Sequence, residues 1–171
     1  LKQRKKAIKS KDYGSILASH RSTLERKSIY EEVRELVNKI SPKSIIDIAC
    51  GLNPLAIARK EYEYLAIDIN QKEIEIIYSF FSEERINGKA ICEDARKIDY
   101  DKVKKYDLCL MFKFLDFIDD SHKNAEFFLR NVKCENFLIS FATKSISGKN
   151  SRQTRRVWLE RIIKRFEYPY K

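Results

Sequence analysis

The stretch that decides the fold is Ser44-Ile45-Ile46-Asp47-Ile48-Ala49-Cys50-Gly51-Leu52-Asn53-Pro54, in which an apolar run ends at an acid, small residues follow and a helix starts. In nucleotide-type α/β folds the ligand lies beyond the carboxyl end of such a strand, where small side chains let the backbone approach it closely. We therefore expect this stretch to form the first strand of an α/β sheet, followed by a loop that binds an adenosine-containing cofactor.

Acids also follow the next two apolar runs. Residues 64–67 end at Asp68, whose carboxylate can accept hydrogen bonds from both hydroxyls of a ribose. Residues 89–93 are followed by Asp94, which is placed to reach an adenine amino group. Acids at the ends of three consecutive strands suit a ligand that has a ribose and an exocyclic amine but no phosphate, so the spacing predicts S-adenosylmethionine as the cofactor.

The loop itself argues against a dinucleotide. A pyrophosphate site needs a G-x-G-x-x-G run that opens onto a helix amino terminus, whereas the corresponding positions here are Ala49, Gly51 and Asn53, with Pro54 next. Proline in the first helical turn supplies no amide for a phosphate. An ordinary strand-to-helix turn would give the same short pattern, so the prediction depends on Asp68 and Asp94 as well.

The composition indicates a globular protein of one domain. The 171 residues are 43% hydrophobic, which is enough for one domain with a sizeable core. No apolar run approaches the roughly 20 residues of a membrane span, and no signal peptide is visible, so we expect a cytoplasmic protein. The four cysteines lack C-x-x-C spacing and are predicted to be reduced thiols in buried strands, without a metal or disulfide role.

The charge is strongly basic and unevenly distributed. The chain carries 35 basic and 25 acidic residues, for a formal charge of +10. The basic excess is concentrated in residues 2–11 and 144–165. Two such clusters favour a polyanionic partner, because each neutralised phosphate releases counterions. The alternative is that a high content of Lys and Glu reflects thermophily or genome bias.

Helical and strand patterns alternate along the chain. A helix with apolar positions from Leu24 to Ile40 ends at Ser41-Pro42, and a second helix over 71–84, capped by Asn70, is expected to bury Ile74, Ile77, Tyr78 and Phe81. Further strands are predicted near 89–92, 106–111 and 135–141, with helices over 121–130 and 151–165. Residues 166–170 could begin a sixth strand.

This alternation predicts an α/β class, with a doubly wound, mostly parallel Rossmann-like sheet. We expect a basic N-terminal arm and helix over 1–43 and a methyltransferase domain over 44–171. A seven-stranded methyltransferase sheet needs one more strand after Tyr170, so either the end of the sheet is truncated or its edge is unusual.

Three motifs carry a family resemblance: His20-Arg21-Ser22-Thr23-Leu24-Glu25-Arg26, the loop Ala49-Cys50-Gly51-Leu52-Asn53-Pro54, and Phe141-Ala142-Thr143-Lys144-Ser145-Ile146-Ser147-Gly148. In this order they resemble the 16S ribosomal RNA methyltransferases that confer aminoglycoside resistance, the Arm/Rmt and sisomicin-gentamicin methylase group. The resemblance implies methylation of guanine N7 in the small ribosomal subunit, with S-adenosylmethionine as donor. It also implies ribosomal RNA or the small subunit as partner; we expect no membrane partner and a monomer.

The resemblance assigns cofactor contacts to particular positions. It implies that Arg26 pairs with the methionine carboxylate, that Gly51 and its neighbours line the methionine, that Asp68 holds the ribose and that Asp94 and Ala95 meet the adenine. The other predicted cofactor residues are Ala49, Cys50, Asn53, Ile69 and Phe112. The Ser22-Thr23-Leu24-Glu25 run is also a capping box, and a capped turn could itself aim Arg26 at the pocket.

The residues after the fourth strand differ from the family pattern. Lys113 to Asp119 resembles the family's Lys-x-x-Pro-x-x-Glu segment, but Asp116 replaces the proline and Asp119 the glutamate. No residue is assigned as catalytic, because guanine N7 has a free lone pair and no proton to lose, so its attack needs alignment rather than a base. The predicted RNA contacts are Lys113, Lys144, Lys149 and Arg152, for which a solvated basic face is the alternative.

Two other functions stay open at this stage. A methyltransferase that acts on another RNA, a protein or a small molecule would keep the same cofactor loop. A catalytically silent RNA-binding module on the same fold would explain the changes at Asp116 and Asp119. The shorter segment before the first strand, about 43 residues, also leaves less surface for docking on a folded RNA than the resistance enzymes have.

Overall fold

In a computed structural model of the chain, five parallel strands form one sheet. The structure describes residues 7, 10–18, 30–118, 123–141 and 156–170. The strands are β1 (Ser44–Ile48), β2 (Glu63–Asp68), β3 (Gly88–Cys92), β4 (Tyr106–Phe112) and β5 (Cys134–Ser140). Their order in the sheet is β3-β2-β1-β4-β5, so the winding direction reverses between β1 and β4. The predicted doubly wound α/β fold is confirmed.

Helices cover both faces of this sheet. They are α1 (Tyr13–Ala18), α2 (Tyr30–Ile40), α3 (Pro54–Ile57), α4 (Gln71–Glu84), α5 (Leu115–Ile118), α6 (Lys123–Asn131) and α7 (Val157–Arg165), with a 3-10 turn over Ala95–Lys97. Alternate residues of β1 face the two layers: Ile45 packs with α1 to α4, and Ile46 packs with α6 and α7. Burial on both faces explains why β1 is apolar apart from Ser44 and Asp47.

Helix α4 shows how local sequence sets a boundary. The side chain of Asn70 accepts a hydrogen bond from Lys72 N at 3.1 Å, which confirms the predicted cap, and Arg85 ends the helix in the left-handed conformation. Ile74, Ile77 and Phe81 are buried as predicted. The prediction for Tyr78 is wrong, because this residue is 69% exposed. It lies about 100° beyond Ile77 on the helix, outside the face that meets the sheet.

Two further predictions are wrong, and for the cysteines the reason is the position of their strands in the sheet. Cys92 is exposed because β3 is an edge strand, and Cys134 is half-buried, whereas Cys50 and Cys109 are buried as expected. Residues 166–170 form no strand: Phe166 N donates to Ile162 O at 3.1 Å, which continues the turn of α7. Helix α2, which is predicted from the apolar positions between Leu24 and Ile40, ends at Ile40 as predicted, but its residue Leu36 is exposed. Residues 19–29 lie outside the described part of the chain.

Candidate active site

The candidate site lies at the carboxyl ends of β1, β2, β3 and β4, beside the point where the strand order reverses. Open α/β sheets bind their ligands at this position. Strand register fixes which residues meet there: Ile48 pairs with Ile67, Asp68 pairs with Cys92, and Phe112 pairs with Ser140. The residues that follow these strands therefore form one rim, and they include most of the predicted cofactor positions that the structure describes.

The loop after β1 makes a tight turn. Ala49 and Gly51 both have positive φ, 53° and 52°. Cys50 N donates to Ile67 O at 3.0 Å, and Asn53 N donates to Cys50 O at 3.0 Å, so the loop is tied to β2 and closed on itself before α3 begins at Pro54. A side chain costs about 1–2 kcal/mol in the left-handed region, so glycine is favoured at position 51.

Asp68 joins the ends of β1 and β2. Its Oδ2 accepts from Gly51 N at 2.8 Å, and its Oδ1 accepts from Asn70 N at 2.9 Å. A carboxylate has about four acceptor positions, so each oxygen retains capacity for a ligand hydroxyl. The next residue, Ile69, is 71% exposed and places an apolar surface directly beside this acid.

Asp94 is already engaged by a neighbouring cation. Arg96 donates to it from Nε at 3.0 Å and from Nη2 at 2.6 Å, and Arg96 N donates to Oδ1 at 3.0 Å. The hydrogen bonds from the Arg96 side chain, above all, lower the pKa of Asp94 to about 2. Ala95 is buried behind this pair, and Glu93 N donates to Asp68 O at 3.0 Å, which connects the ends of β2 and β3. An adenine amino group would have to share Asp94 with Arg96.

Two polar side chains near the loop, those of Asp47 and Asn53, are buried and hydrogen-bonded to tyrosines. Asp47 is fully buried and accepts from Tyr64 OH at 2.8 Å, so two of the three strand-end acids, Asp68 and Asp94, lie at the rim and the third lies beneath it. Asn53 is also fully buried, and its Oδ1 accepts from Tyr30 OH at 2.9 Å. Burial raises the pKa of the Cys50 thiol well above its usual value, so it is a neutral group and not a nucleophile.

The rim continues at the end of β4. Phe112 is buried, and Lys113 follows it with a φ of 55° and donates its backbone N–H to Ser140 O at 2.8 Å. Lys113 is half-buried at this rim. The predicted site residues Arg26, Lys144, Lys149 and Arg152 lie outside the described residues, as does Asp119.

Sequence reasoning missed two residues at this site, Arg96 and Tyr30. An acid followed two positions later by arginine is a local signal for the Asp94–Arg96 pair. Tyr30 could not be found this way, because 23 residues separate it from Asn53 and only the packing of α2 brings the two together. Within the described ranges, no group of His, Cys, Asp and Glu side chains is arranged to hold a metal ion, and no helix there is long and apolar enough to cross a membrane.

Comparison with known proteins identifies related sequences and folds. The profile of the family described as "Ribosomal RNA methyltransferase (FmrO)" matches residues 5–166. A 16S rRNA (guanine(1405)-N(7))-methyltransferase of Serratia marcescens is 27% identical over 152 residues, which cover 87% of this chain and 60% of that protein. The chain thus spans about three-fifths of the length of this relative.

Solved structures agree with that comparison. The crystal structure of an rRNA methylase from Escherichia coli has a TM-score of 0.74 and 27% identity, with 84% of this chain and 60% of that chain covered. The 16S rRNA methyltransferase RmtF, solved in complex with S-adenosyl-L-homocysteine, has a TM-score of 0.76 and 19% identity, with 94% and 67% covered. The second likeness, at this identity, establishes the fold alone.

Proposed function

Because the chain belongs to the FmrO ribosomal RNA methyltransferase family, we propose that it transfers a methyl group from S-adenosylmethionine to N7 of a guanine in 16S ribosomal RNA. The family match over nearly the whole chain is the observation that carries the proposal. The Serratia marcescens relative, which is named for this reaction, supports it. The proposal includes ribosomal RNA or the small subunit as partner, action as a monomer and a cytoplasmic location.

The residues at the rim fit S-adenosylmethionine. Asp68 has acceptor capacity for ribose hydroxyls, Ile69 offers an exposed apolar surface for the adenine, and the turn at Gly51 leaves room without a Cβ beside the methionine. We also assign to this cofactor site Ala49, Asp94, Ala95 and Phe112, together with Arg26, and we assign to it Cys50 and Asn53, which are fully buried, as residues that shape the loop. When bound, the cofactor supplies an electrophilic methyl group on a positively charged sulfur.

The chemistry assigned to the protein is alignment rather than proton transfer. Guanine N7 carries a free lone pair, so no base has to remove a proton before it attacks the methyl carbon. Holding the two reactants in line removes much of the entropic barrier. Lys113, at the end of β4, stands at the rim beside the cofactor positions, where its ammonium group can hold an RNA phosphate. We assign the same role to Lys144, Lys149 and Arg152.

A labelling experiment tests this function. The protein is incubated with methyl-labelled S-adenosylmethionine and one of three acceptors: purified 30S particles, naked 16S ribosomal RNA or a protein extract freed of RNA. We expect label in 16S ribosomal RNA, and 7-methylguanosine in its nuclease digest. Label in the protein or small-molecule fraction alone would contradict the RNA assignment, and label on another base would contradict the N7 assignment.

One observation favours a second candidate, a silent RNA-binding module on the same fold. Arg96 occupies both oxygens of Asp94, the acid assigned to the adenine. If this ion pair excludes the cofactor, calorimetric titration with S-adenosylmethionine will show no binding although Asp68 is intact, while RNA will still bind. Measurable cofactor binding removes this candidate.

A further inference from the structure

Tyr30 makes a buried contact with the cofactor loop. It is the first residue of α2, it is only 3% exposed, and its hydroxyl donates to Asn53 Oδ1 at 2.9 Å. Asn53 Nδ2 is buried as well and has no hydrogen-bond partner within the described ranges. The tyrosine hydroxyl therefore gives this buried amide a hydrogen bond that water cannot replace.

Asn53 in turn holds the loop and the start of α3. Its backbone N–H donates to Cys50 O at 3.0 Å, which closes the turn around Gly51. Its carbonyl accepts from Ala56 N at 2.9 Å and from Ile57 N at 3.0 Å. The backbone of Asn53 therefore joins α3 to the turn that contains Gly51, whose N–H donates to Asp68.

The helices before the sheet pack against the same segment. Ile16 and Leu17 of α1 and Val33 of α2 lie in one core cluster with Leu52 and Leu55. Arg34 of α2 donates from Nη1 to Ala56 O at 3.3 Å. The N-terminal helices therefore pack against the cofactor loop and α3, and Tyr30 is their hydrogen-bond contact with Asn53.

We propose that Tyr30 is a positioning residue for cofactor binding: its hydroxyl, through Asn53, holds the loop at Cys50 to Asn53 in the form that binds S-adenosylmethionine. This inference rests on the proposed function. Tyr30 is buried and is assigned no contact with the reacting atoms. Loss of its hydroxyl therefore weakens cofactor binding equally in the ground state and in the transition state. The expected signature is a higher KM for the cofactor with an unchanged kcat.

Tyr30→Phe tests this role in the full chain, because it removes the hydroxyl and keeps the ring in the core. Calorimetry measures the Kd of S-adenosylhomocysteine, and methylation of 30S particles gives KM and kcat. We expect the Kd and the cofactor KM to rise about 3- to 10-fold, the equivalent of one buried hydrogen bond, while kcat stays within about twofold.

Tyr13→Phe is the matched control. Tyr13 lies in α1, its hydroxyl donates to Glu84 Oε1, and its ring packs edge-on against Phe80 at 4.9 Å, so this variant also removes one hydroxyl from the N-terminal helices. Melting temperatures of both variants are recorded to compare their stability. We expect Tyr13→Phe to lower the melting temperature without changing the Kd.

The outcomes separate the inference from the function on which it rests. A wild-type protein that does not bind S-adenosylhomocysteine contradicts the proposed function. Binding by the wild type, with an equal Kd in Tyr30→Phe, overturns the role of Tyr30. An equal rise in Kd for both variants, or a fall in kcat without a change in KM, also overturns it, because either result indicates general destabilisation or a different role.

Discussion

The two halves of the rim differ in how their residues are held. At the ends of β1, β2 and β3, side chains and backbone are linked to one another: Asp68 accepts from Gly51 and Asn70, and Glu93 N donates to Asp68 O. At the ends of β4 and β5, the strand ladder extends one residue further, through Lys113 N and Ser140 O. Lys113 is the predicted RNA contact that the structure describes in this half, and Lys144, Lys149 and Arg152 lie outside the described residues.

This difference suits the two halves to different ligands, a small molecule in the first and a polyanion in the second. The first half forms its turn and its acceptor positions from the chain's own hydrogen bonds, before any ligand is present, as a small-molecule site requires. The RNA contact proposed for the second half, at Lys113, depends on charge, which attracts a polyanion over a distance and needs less exact placement. Substitutions in the first half should therefore change cofactor affinity, and substitutions in the second half should change RNA affinity and its salt dependence.

The largest effect is expected for Asp68→Ala. This change removes the acceptor assigned to the ribose hydroxyls and also leaves the N–H groups of Gly51 and Asn70 without this partner. Hydrogen bonds to a charged group contribute about 1.5–3 kcal/mol, so we expect the Kd of S-adenosylhomocysteine, measured by calorimetry, to rise at least about tenfold.

Asp107→Ala is the control for that substitution. Asp107 Oδ2 also accepts from two backbone N–H groups, Lys43 N at 2.6 Å and Ser44 N at 3.0 Å, but it lies at the opposite end of the same sheet. We expect a similar loss of stability on urea unfolding and no change in cofactor Kd. Unchanged affinity in Asp68→Ala would remove Asp68 from the site.

A smaller effect on the same half is expected for Gly51→Ala. At a φ of 52° a Cβ costs about 1–2 kcal/mol, and the turn either absorbs this strain or opens, so we expect cofactor affinity to fall roughly 5- to 30-fold.

Gly14→Ala is the control: a Cβ at Gly14 comes no closer than 3.9 Å to its nearest neighbour, Asp12 Oδ1, and the residue lies in α1. We expect that variant to keep wild-type affinity. Equal affinity in both variants would mean that the loop is less tightly fixed than its hydrogen bonds indicate.

Sequence patterns predicted the elements of the fold and of the rim that depend on residues close together in the chain. Apolar runs gave the five strands within one or two residues, and Asn70 gave the start of α4 through its own side chain. The same patterns failed where burial depends on the position of an element in the sheet. Cys92 has the composition of a buried strand but lies on edge strand β3, and Tyr78 has helical spacing but falls outside the packed face.

The candidate site likewise has a part that the sequence predicts and a part that depends on packing. The loop after β1 and the acid Asp68 follow from the order of residues along the chain, since parallel strands bring their carboxyl ends together. The Tyr30–Asn53 contact depends on where α2 lies over the sheet, and no pattern in the sequence specifies that. The position of Asp47 below the rim has the same origin: its partner Tyr64 lies on the adjacent strand, on the face covered by α4.

In the second half of the rim, Lys113→Ala should change RNA binding alone. One phosphate contact contributes about 0.7–0.9 to the slope of log K against log salt, so we expect the slope for 16S ribosomal RNA to fall by that amount, with cofactor Kd unchanged. Fluorescence titrations at several salt concentrations measure it. Lys133→Ala is the control, because Lys133 lies before the amino end of β5 and donates to Asp101 O at 2.9 Å. Equal slopes for wild type and Lys113→Ala would exclude a phosphate contact at Lys113.

The smallest effect is expected for Arg96→Ala, and it depends on pH. Asp94 has a pKa of about 2 in the folded protein against its usual 3.8, chiefly because of hydrogen bonds from the Arg96 side chain. A carboxyl group whose pKa is lowered by folding stabilises the folded state above its unfolded pKa, and this contribution is lost as pH falls from about 3.8 to about 2. Since Arg96 is 55% exposed, solvent screens the ion pair and its contribution to stability at pH 7 is small.

We therefore expect Arg96→Ala to lower the free energy of unfolding slightly at pH 7, by the same amount down to about pH 4, and by less as pH falls from about 3.8 to about 2, so that the two proteins converge in acid. Urea unfolding across this range measures the difference. Arg59→Ala is the control, because Arg59 donates to the carbonyl oxygen of Ala58 at 2.8 Å, a group that does not titrate, and its effect should stay constant with pH. A constant difference for Arg96→Ala as well would mean that Arg96 stabilises the cofactor half by packing, and that the charge on Asp94 is free to meet the adenine.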